Sequence, residues 1–166
     1  NWKAKMYTIT YELDGGTNPS DAPNKYQETV GVTLPVPTRE GYEFLGWSKV
    51  VGSTDYITTI AATEKDNLTV YANWKEIILE PGSFAITYVL DGGTNPNDAP
   101  NKYQEGIGAK LPTPTKEGYE FLGWSKEEGS TSYITEIAAT ETGNVKVYAN
   151  WKAKMYTITY ELDGGT

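Results

Sequence analysis

The side chains of this sequence that could take part in catalysis are carboxylates, hydroxyls and lysines, because it contains no histidine and no cysteine. Without those two residue types, no Ser-His, Cys-His or His-metal arrangement can form within the chain. A pair of carboxylates remains possible in principle. Acidic residues such as Glu40 and Glu43 adjoin predicted turns, however, where a solvated surface is the simpler interpretation. We therefore predict no catalytic residue and no enzymatic activity.

Oxygen-bearing side chains cluster in one loop of each half of the chain. They are Asp14, Asn18 and Asp21, repeated as Asp91, Asn95 and Asp98. Oxygen-rich loops can bind Ca²⁺, but this spacing lacks the bidentate glutamate at the twelfth position of an EF-hand loop. Asp and Asn beside Gly and Pro usually stabilise turns. The sequence favours a turn over a metal site, and we predict no metal and no cofactor.

Tryptophans beside small residues are a second kind of candidate site. They are Trp47 and Trp124, next to glycine, and Trp74 and Trp151, near alanine. Exposed tryptophans can stack on sugar rings, whereas buried ones supply much of the apolar area of a small core. A unit of ~70 residues has little else to bury. Core packing is therefore the favoured interpretation, with sugar binding as the alternative.

Tyrosines are the candidates for contact with a partner. Tyr71 lies opposite Val70 and Ala72 on its predicted strand, so we expect it on the outer face of a sheet. An aromatic residue there can anchor a partner, although singly exposed aromatics are also ordinary. The predicted partner-binding residues are Tyr71, Tyr148, Tyr26, Tyr103, Tyr56 and Tyr133.

The overall charge and hydropathy exclude two classes of partner. The formal net charge is −8, whereas binding to nucleic acid phosphates requires a basic stripe. No apolar run approaches the ~18 residues of a membrane-spanning helix. Aromatic residues make up 13% of the chain, which is too many for a disordered acidic segment. We predict a folded protein that binds no nucleic acid and does not insert into a membrane.

The sequence repeats itself with an offset of 77 residues. Residues 7–75 align with 84–152 without gaps, and 51 of the 69 positions are identical. Residues 150–166 repeat residues 1–17 letter for letter. The predicted organisation is a tail of a preceding repeat (1–6), unit 1 (7–75), a linker (76–83), unit 2 (84–152), and a linker with the first strand of a further repeat (153–166). We expect the chain to be a segment of a longer tandem array.

The joints between repeats differ in length. Eleven residues separate Trp74 from Ile86, but only six separate Trp151 from Ile158. The longer joint contains the turn-forming pair Pro81-Gly82. The array therefore alternates one long joint with one short joint.

Alternating apolar residues predict strands in each unit. One face of residues 7–13 carries Tyr7, Ile9, Tyr11 and Leu13, and one face of residues 68–74 carries Leu68, Val70, Ala72 and Trp74. A third strand is predicted over 42–47, with Phe44, Leu45 and Trp47 as core candidates and with a bulge or a close backbone approach at Gly46. Residues 60–64 could form one helical turn. The predicted fold class is mostly β, with four or five strands in each unit of a tandem array.

Three motifs together are specific to a known family. They are Ile-Thr-Tyr-x-Leu-Asp-Gly-Gly-Thr, Leu-Pro-x-Pro-Thr-x-x-Gly-Tyr-x-Phe-x-Gly-Trp and Val-Tyr-Ala-Asn-Trp, each present in both units. The sequence thereby resembles the Listeria–Bacteroides repeat, also called the internalin B-repeat. The resemblance implies a compact unit related to the ubiquitin-like β-grasp, found in tandem in secreted or wall-attached bacterial proteins. It implies no enzyme activity.

Three hypotheses for function follow from the array. The first is a stalk or spacer of a bacterial cell-surface or extracellular protein, with a contribution to adhesion, whose only necessary partners are neighbouring units. The second is a module in which each unit binds a host or bacterial glycan or protein weakly and repetition supplies avidity. The third is end-to-end self-association into fibres through the unpaired strand expected over residues 156–162.

Overall fold

The computed structural model describes residues 4–157, and in that range it contains twelve strands and no helix. Unit 1 contains β1 (Met6–Glu12), β2 (Lys25–Gln27), β3 (Val32–Thr33), β4 (Tyr42–Ser48), β5 (Thr59–Ile60) and β6 (Leu68–Glu76). Unit 2 contains β7 (Ser83–Val89), β8 (Lys102–Gln104), β9 (Ala109–Lys110), β10 (Tyr119–Ser125), β11 (Glu136–Ile137) and β12 (Val145–Ala153). The fold is mostly β and repeated, as the sequence predicts.

Each unit is built on a four-stranded mixed sheet. In unit 1 the order is β2-β1-β6-β4, with the central pair β1 and β6 parallel and both outer pairs antiparallel. Unit 2 repeats this order as β8-β7-β12-β10. A two-stranded ribbon, β3 with β5 or β9 with β11, completes the unit. This strand order is that of a β-grasp-like sheet.

The core of unit 1 lies on one face of the sheet. Its buried residues are Tyr7, Ile9, Tyr26, Leu34, Trp47, Ile60, Val70 and Ala72. Along β1 the alternation holds, since Tyr7 and Ile9 are buried while Thr8 and Thr10 are exposed. The period-two patterns of β1 and β6 therefore predicted the inner face correctly.

A β-bulge in β4 changes which residues reach the core. The register with β6 shifts between Phe44 and Gly46, so Phe44 and Trp47 pack into the same core although they are three residues apart. Leu45 instead points outward and is 40% exposed. The prediction of a bulge at Gly46 was right, whereas the prediction of Leu45 as a core residue was wrong. The extra residue of the bulge reverses the alternation after it.

Residues 60–64 do not form the helical turn that the sequence suggested. Ile60 ends β5, where it pairs with Val32 and is buried in the core. The chain then makes a tight turn in which the amide of Glu64 donates to the carbonyl oxygen of Ala61. Pairing with Val32 and burial keep Ile60 in the ribbon, and residues 61–64 follow it as a turn.

The strand expected over residues 156–162 falls mainly outside the described part of the chain. Tyr156 and Thr157 are exposed and follow β12 without belonging to a strand, and residues 158–162 lie outside the described residues. Self-association through this segment stays a prediction.

Candidate functional site

An open groove of about 500 Å³ lies on unit 1 where the end of β1 approaches β6. Its lining residues are Glu12, Asp14, Val51, Gly52, Tyr71, Ala72, Asn73 and Trp74. Val70 is fully buried on the inner face of β6, and the alternation of the strand therefore turns Tyr71 outward. Its lining combines two aromatic rings, one amide and two carboxylates.

The predicted tyrosines divide between the core and the surface. Tyr26 and its counterpart Tyr103 are core residues, 2% and 4% exposed, and their hydroxyls donate to the carbonyl oxygens of Asp66 and Gly143 at 2.6 Å. Burial raises the pKa of both phenols. A partner cannot reach these rings, so their predicted role in partner binding is corrected to one in the core. Each lies in a strand of only three residues, too short to show a burial pattern in the sequence.

The other four tyrosines remain accessible, but only one is found in the groove. Tyr71 lines the groove and is half-buried, as is Tyr148 at the same position of unit 2. Tyr56 and Tyr133 are exposed and cover Gly46 and Gly123, where an added Cβ would lie 2.7 Å from the tyrosine Cβ. The structure therefore does not gather the predicted tyrosines into one site.

The tryptophans pack inside each unit. The Trp47 indole is buried, and its Nε1 donates to the carbonyl oxygen of Pro35 at 2.7 Å. Trp74 is partly buried, and its Nε1 donates to the carbonyl oxygen of Leu13 at 3.0 Å. Phe44 lies edge-on between the two indoles, with ring centroids 5.4 and 5.3 Å away. The prediction of core packing was right for Trp47, and Trp74 forms the edge of the same aromatic cluster.

Asn73, the asparagine of the Val-Tyr-Ala-Asn-Trp motif, has a structural role that the sequence did not predict. Its Nδ2 donates to the carbonyl oxygens of Gly46 and Tyr71 and to Oγ of Ser48, at 2.9 to 3.2 Å. This amide ties β6 to the bulge of β4, directly beside the groove. Asn150 makes the same three bonds in unit 2. The signal in the sequence was a polar residue between two apolar ones in the closing strand of both units.

The oxygen-rich loop is organised as a turn. Asp14 adopts a left-handed conformation with φ of 44°, and its carboxylate pairs with Arg39 Nη1 at 3.0 Å. The guanidinium of Arg39 also stacks over the ring of Tyr42. In residues 4–157, no three acidic side chains are grouped to hold a metal ion. The loop chemistry is that of a turn stabilised by an ion pair.

Comparison with known proteins places this architecture in a family. The model of the Listeria-Bacteroides repeat domain matches residues 7–73 and again residues 84–150. The chain is 27% identical over 165 residues to a protein of Evansella cellulosilytica named "Putative Gly-rich membrane protein", covering 99% of this chain and 18% of that protein. It is 28% identical over 160 residues to a "Putative membrane protein" of the same organism, covering 96% of this chain and 23% of that protein.

These relatives are much longer than the chain, which spans about a fifth of their length. No solved structure matches the chain significantly. Within residues 4–157, no helix is long and apolar enough to cross a membrane. The two matches to the family model together cover most of the chain. The chain therefore belongs to the Listeria–Bacteroides repeat family.

Proposed function

We propose that the chain is a non-enzymatic spacer segment of a bacterial cell-surface or extracellular protein. The observation that carries the proposal is the tandem pair of similar units, each with a complete core of its own. The family is found in surface proteins, and the two relatives are named as membrane proteins. Position outside the cell is part of this proposal.

The connections between units support a spacer. Only residues 77–82 lie between β6 and β7. At the short joint a single residue, Lys154, lies between the end of β12 and Met155, which is the sequence equivalent of Met6 at the start of β1. Short connections restrict how far neighbouring units can bend or fold back on each other. An array built this way gains length with each unit added.

The composition supports a function without catalysis. The sequence has neither histidine nor cysteine, and the groove on unit 1 offers only carboxylate, amide, indole and phenol groups from its polar lining. A spacer requires no catalytic group.

The proposal can be tested by measuring how far arrays of different length hold a tag from a cell surface. Arrays of two, four and six units would be displayed between one membrane anchor and one distal peptide tag, and tag accessibility to antibody-coated beads would be measured. A spacer predicts that bead capture rises with unit number. Capture that does not change with unit number, at equal surface expression, would refute it.

A second candidate function is binding by avidity, which the groove at Tyr71 favours. Weak binding of a glycan or protein by each unit would strengthen steeply with the number of units. Substituting Tyr71→Ser and Tyr148→Ser should then abolish binding to glycan and matrix-protein panels while the chain stays folded. Val30→Ser with Ile107→Ser is the matched control, since both residues are exposed and neither lines the groove. An equal loss of binding in the tyrosine variant and the control variant, or no loss in either, would contradict binding by avidity at Tyr71 and Tyr148.

A further inference from the structure

Ala85 and Thr8 occupy the same position in the two units but differ in exposure. Thr8 is exposed on the outer face of β1, whereas Ala85 in β7 is fully buried at 0%. Ala85 precedes Ile86, which points into the core of unit 2, so its own side chain points to the opposite face. Its burial therefore comes from outside the core of its own unit.

The linker between the units is held beside this part of unit 2 by a hydrogen bond. The Nζ of Lys102 donates to the carbonyl oxygen of Ile78 at 3.1 Å. Lys102 is the residue of β8 that pairs directly with Ala85. Ile78 is thereby held at the strand pair that contains Ala85. The short joint has only Lys154 in place of residues 77–82, so it lacks a counterpart of Ile78.

Asn144 joins unit 2 to unit 1 directly. Its Oδ1 accepts a hydrogen bond from the amide of Ala85 at 2.9 Å, and its Nδ2 donates to Oε1 of Glu40 in unit 1 at 2.7 Å. Asn67, the equivalent residue of unit 1, makes only the first kind of bond among residues 4–157, accepting from the amide of Thr8. Each unit thus orients its own asparagine, and the outward amide of Asn144 meets the preceding unit.

The turn that carries Glu40 also holds the start of the linker. The amide of Ile77 donates to the carbonyl oxygen of Gly41 at 2.9 Å. The equivalent bond in unit 2 joins the amide of Lys154 to the carbonyl oxygen of Gly118. Glu40 and Gly41 are the part of unit 1 that lies at the joint, Glu40 through Asn144 and Gly41 through Ile77.

We propose that the Glu40-Gly41 turn of unit 1 docks on unit 2 at Asn144, with the long linker held beside Ala85. The partner of the surface is the preceding repeat unit, and the Glu40–Asn144 bond sets the register of the pair. The two-unit segment 7–152 is then a rigid module, and the array is built of such modules joined at the short joints. The proposal deepens the spacer function, from which it takes its biological purpose.

Distances between paired spin labels test the docking. Because the chain has no cysteine, Val51→Cys and Glu128→Cys place one label on an exposed, equivalent position of each unit. The docked pair predicts one narrow distance distribution. A broad distribution in the otherwise unaltered chain would overturn the proposal. The spin-label distance reports only on the joint between the two units. The docking proposal can therefore fail while the spacer proposal holds, and the spacer proposal can fail while the docking proposal holds.

A charge substitution with a matched control identifies the contact. Asn144→Asp keeps an oxygen for the Ala85 amide but sets a second carboxylate against Glu40. It should raise the undocked fraction by roughly two- to tenfold, the worth of one hydrogen bond. Asn67→Asp makes the same change at a residue that, among residues 4–157, has no hydrogen bond to a glutamate, and should leave the distribution narrow. Equal effects of the two substitutions would overturn the proposal.

Exchanging donor and acceptor completes the test. In the double variant Glu40→Gln with Asn144→Asp, the glutamine amide can donate to the new carboxylate, so the narrow distribution should return. Failure to recover it, with both units folded by circular dichroism, would show that the bond does not hold the units together.

Discussion

Trp74 and Gly16 are in close contact across the fold: a Cβ added to Gly16 would lie 2.4 Å from Cζ2 of the indole. Gly93 and Trp151 repeat the same distance in unit 2. The two glycines that follow Asp14 therefore have two different structural roles. Gly15 adopts a φ of 83° in the turn, and Gly16 leaves room for the tryptophan that closes the aromatic cluster.

Gly16→Ala should destabilise the chain, because the methyl group must displace the indole or the backbone. Overpacking of this kind costs ~1–3 kcal/mol. The free energy of unfolding would be measured by urea titration of the folded chain. Ser20→Ala, at an exposed position of the same loop, is the control and should change it by less than ~0.5 kcal/mol. Equal stability of the two variants would mean that the indole moves freely.

Asn73→Ala should lower stability by ~1–3 kcal/mol, because Ser48 is fully buried and loses its amide partner. Asn24→Ala, with an exposed side chain, should have little effect. Urea unfolding of both variants compares them. A neutral Asn73→Ala variant would show that the amide does not hold β4 to β6.

Phe44→Ser should lower the free energy of unfolding much more than Leu45→Ser does, although the two residues are adjacent. Phe44 packs between Trp47 and Trp74, and its loss should cost ~3–5 kcal/mol, as for other large aromatic truncations. Leu45 points outward at the bulge and should cost less than ~1 kcal/mol. Thermal unfolding of the two variants is the measurement. The reverse order would place the bulge elsewhere in β4.

Stability should fall as the pH rises above about 10. Burial raises the pKa of Tyr11 to about 12, while a tyrosine in the unfolded chain ionises near pH 10. Between these values the unfolded state loses its proton more readily, so the contribution of Tyr11 is fully present below pH 10 and is lost towards pH 12. Burial raises the pKa of Tyr88 in the same direction.

The urea midpoint, measured in steps from about pH 8 to pH 12, tests this dependence. Tyr11→Phe with Tyr88→Phe should flatten the fall, because phenylalanine has no proton to lose. A midpoint that stays constant to pH 12 would contradict the raised pKa values.

The sequence predicted what local periodicity determines and missed what depends on contacts distant in the chain. The alternation of β1 and β6 is visible in the residues themselves, and so is the glycine that marks the bulge. The outward position of Leu45 follows from the register of two strands across that bulge. Tyr26 pairs with β1, and its hydroxyl donates a hydrogen bond to the carbonyl oxygen of Asp66, forty residues away. The burial of Tyr26 depends on these distant contacts, so no pattern within a three-residue strand could predict it.

The contact between the units was hidden for the same reason. Glu40 and Asn144 are 104 positions apart, and each has an identical counterpart in the other unit. Because each residue has an identical counterpart in the other unit, the sequence predicts the same role for both copies. Only the docking of one unit on the next distinguishes Asn144 from Asn67.

Small-angle X-ray scattering of chains with two, four and six units tests the spacer function most directly. Units linked by one-residue and six-residue joints should give a maximum dimension that increases linearly with unit number, while the cross-sectional radius of gyration stays constant. A maximum dimension that grows only as the cube root of the mass, as for a compact globule, would contradict the spacer.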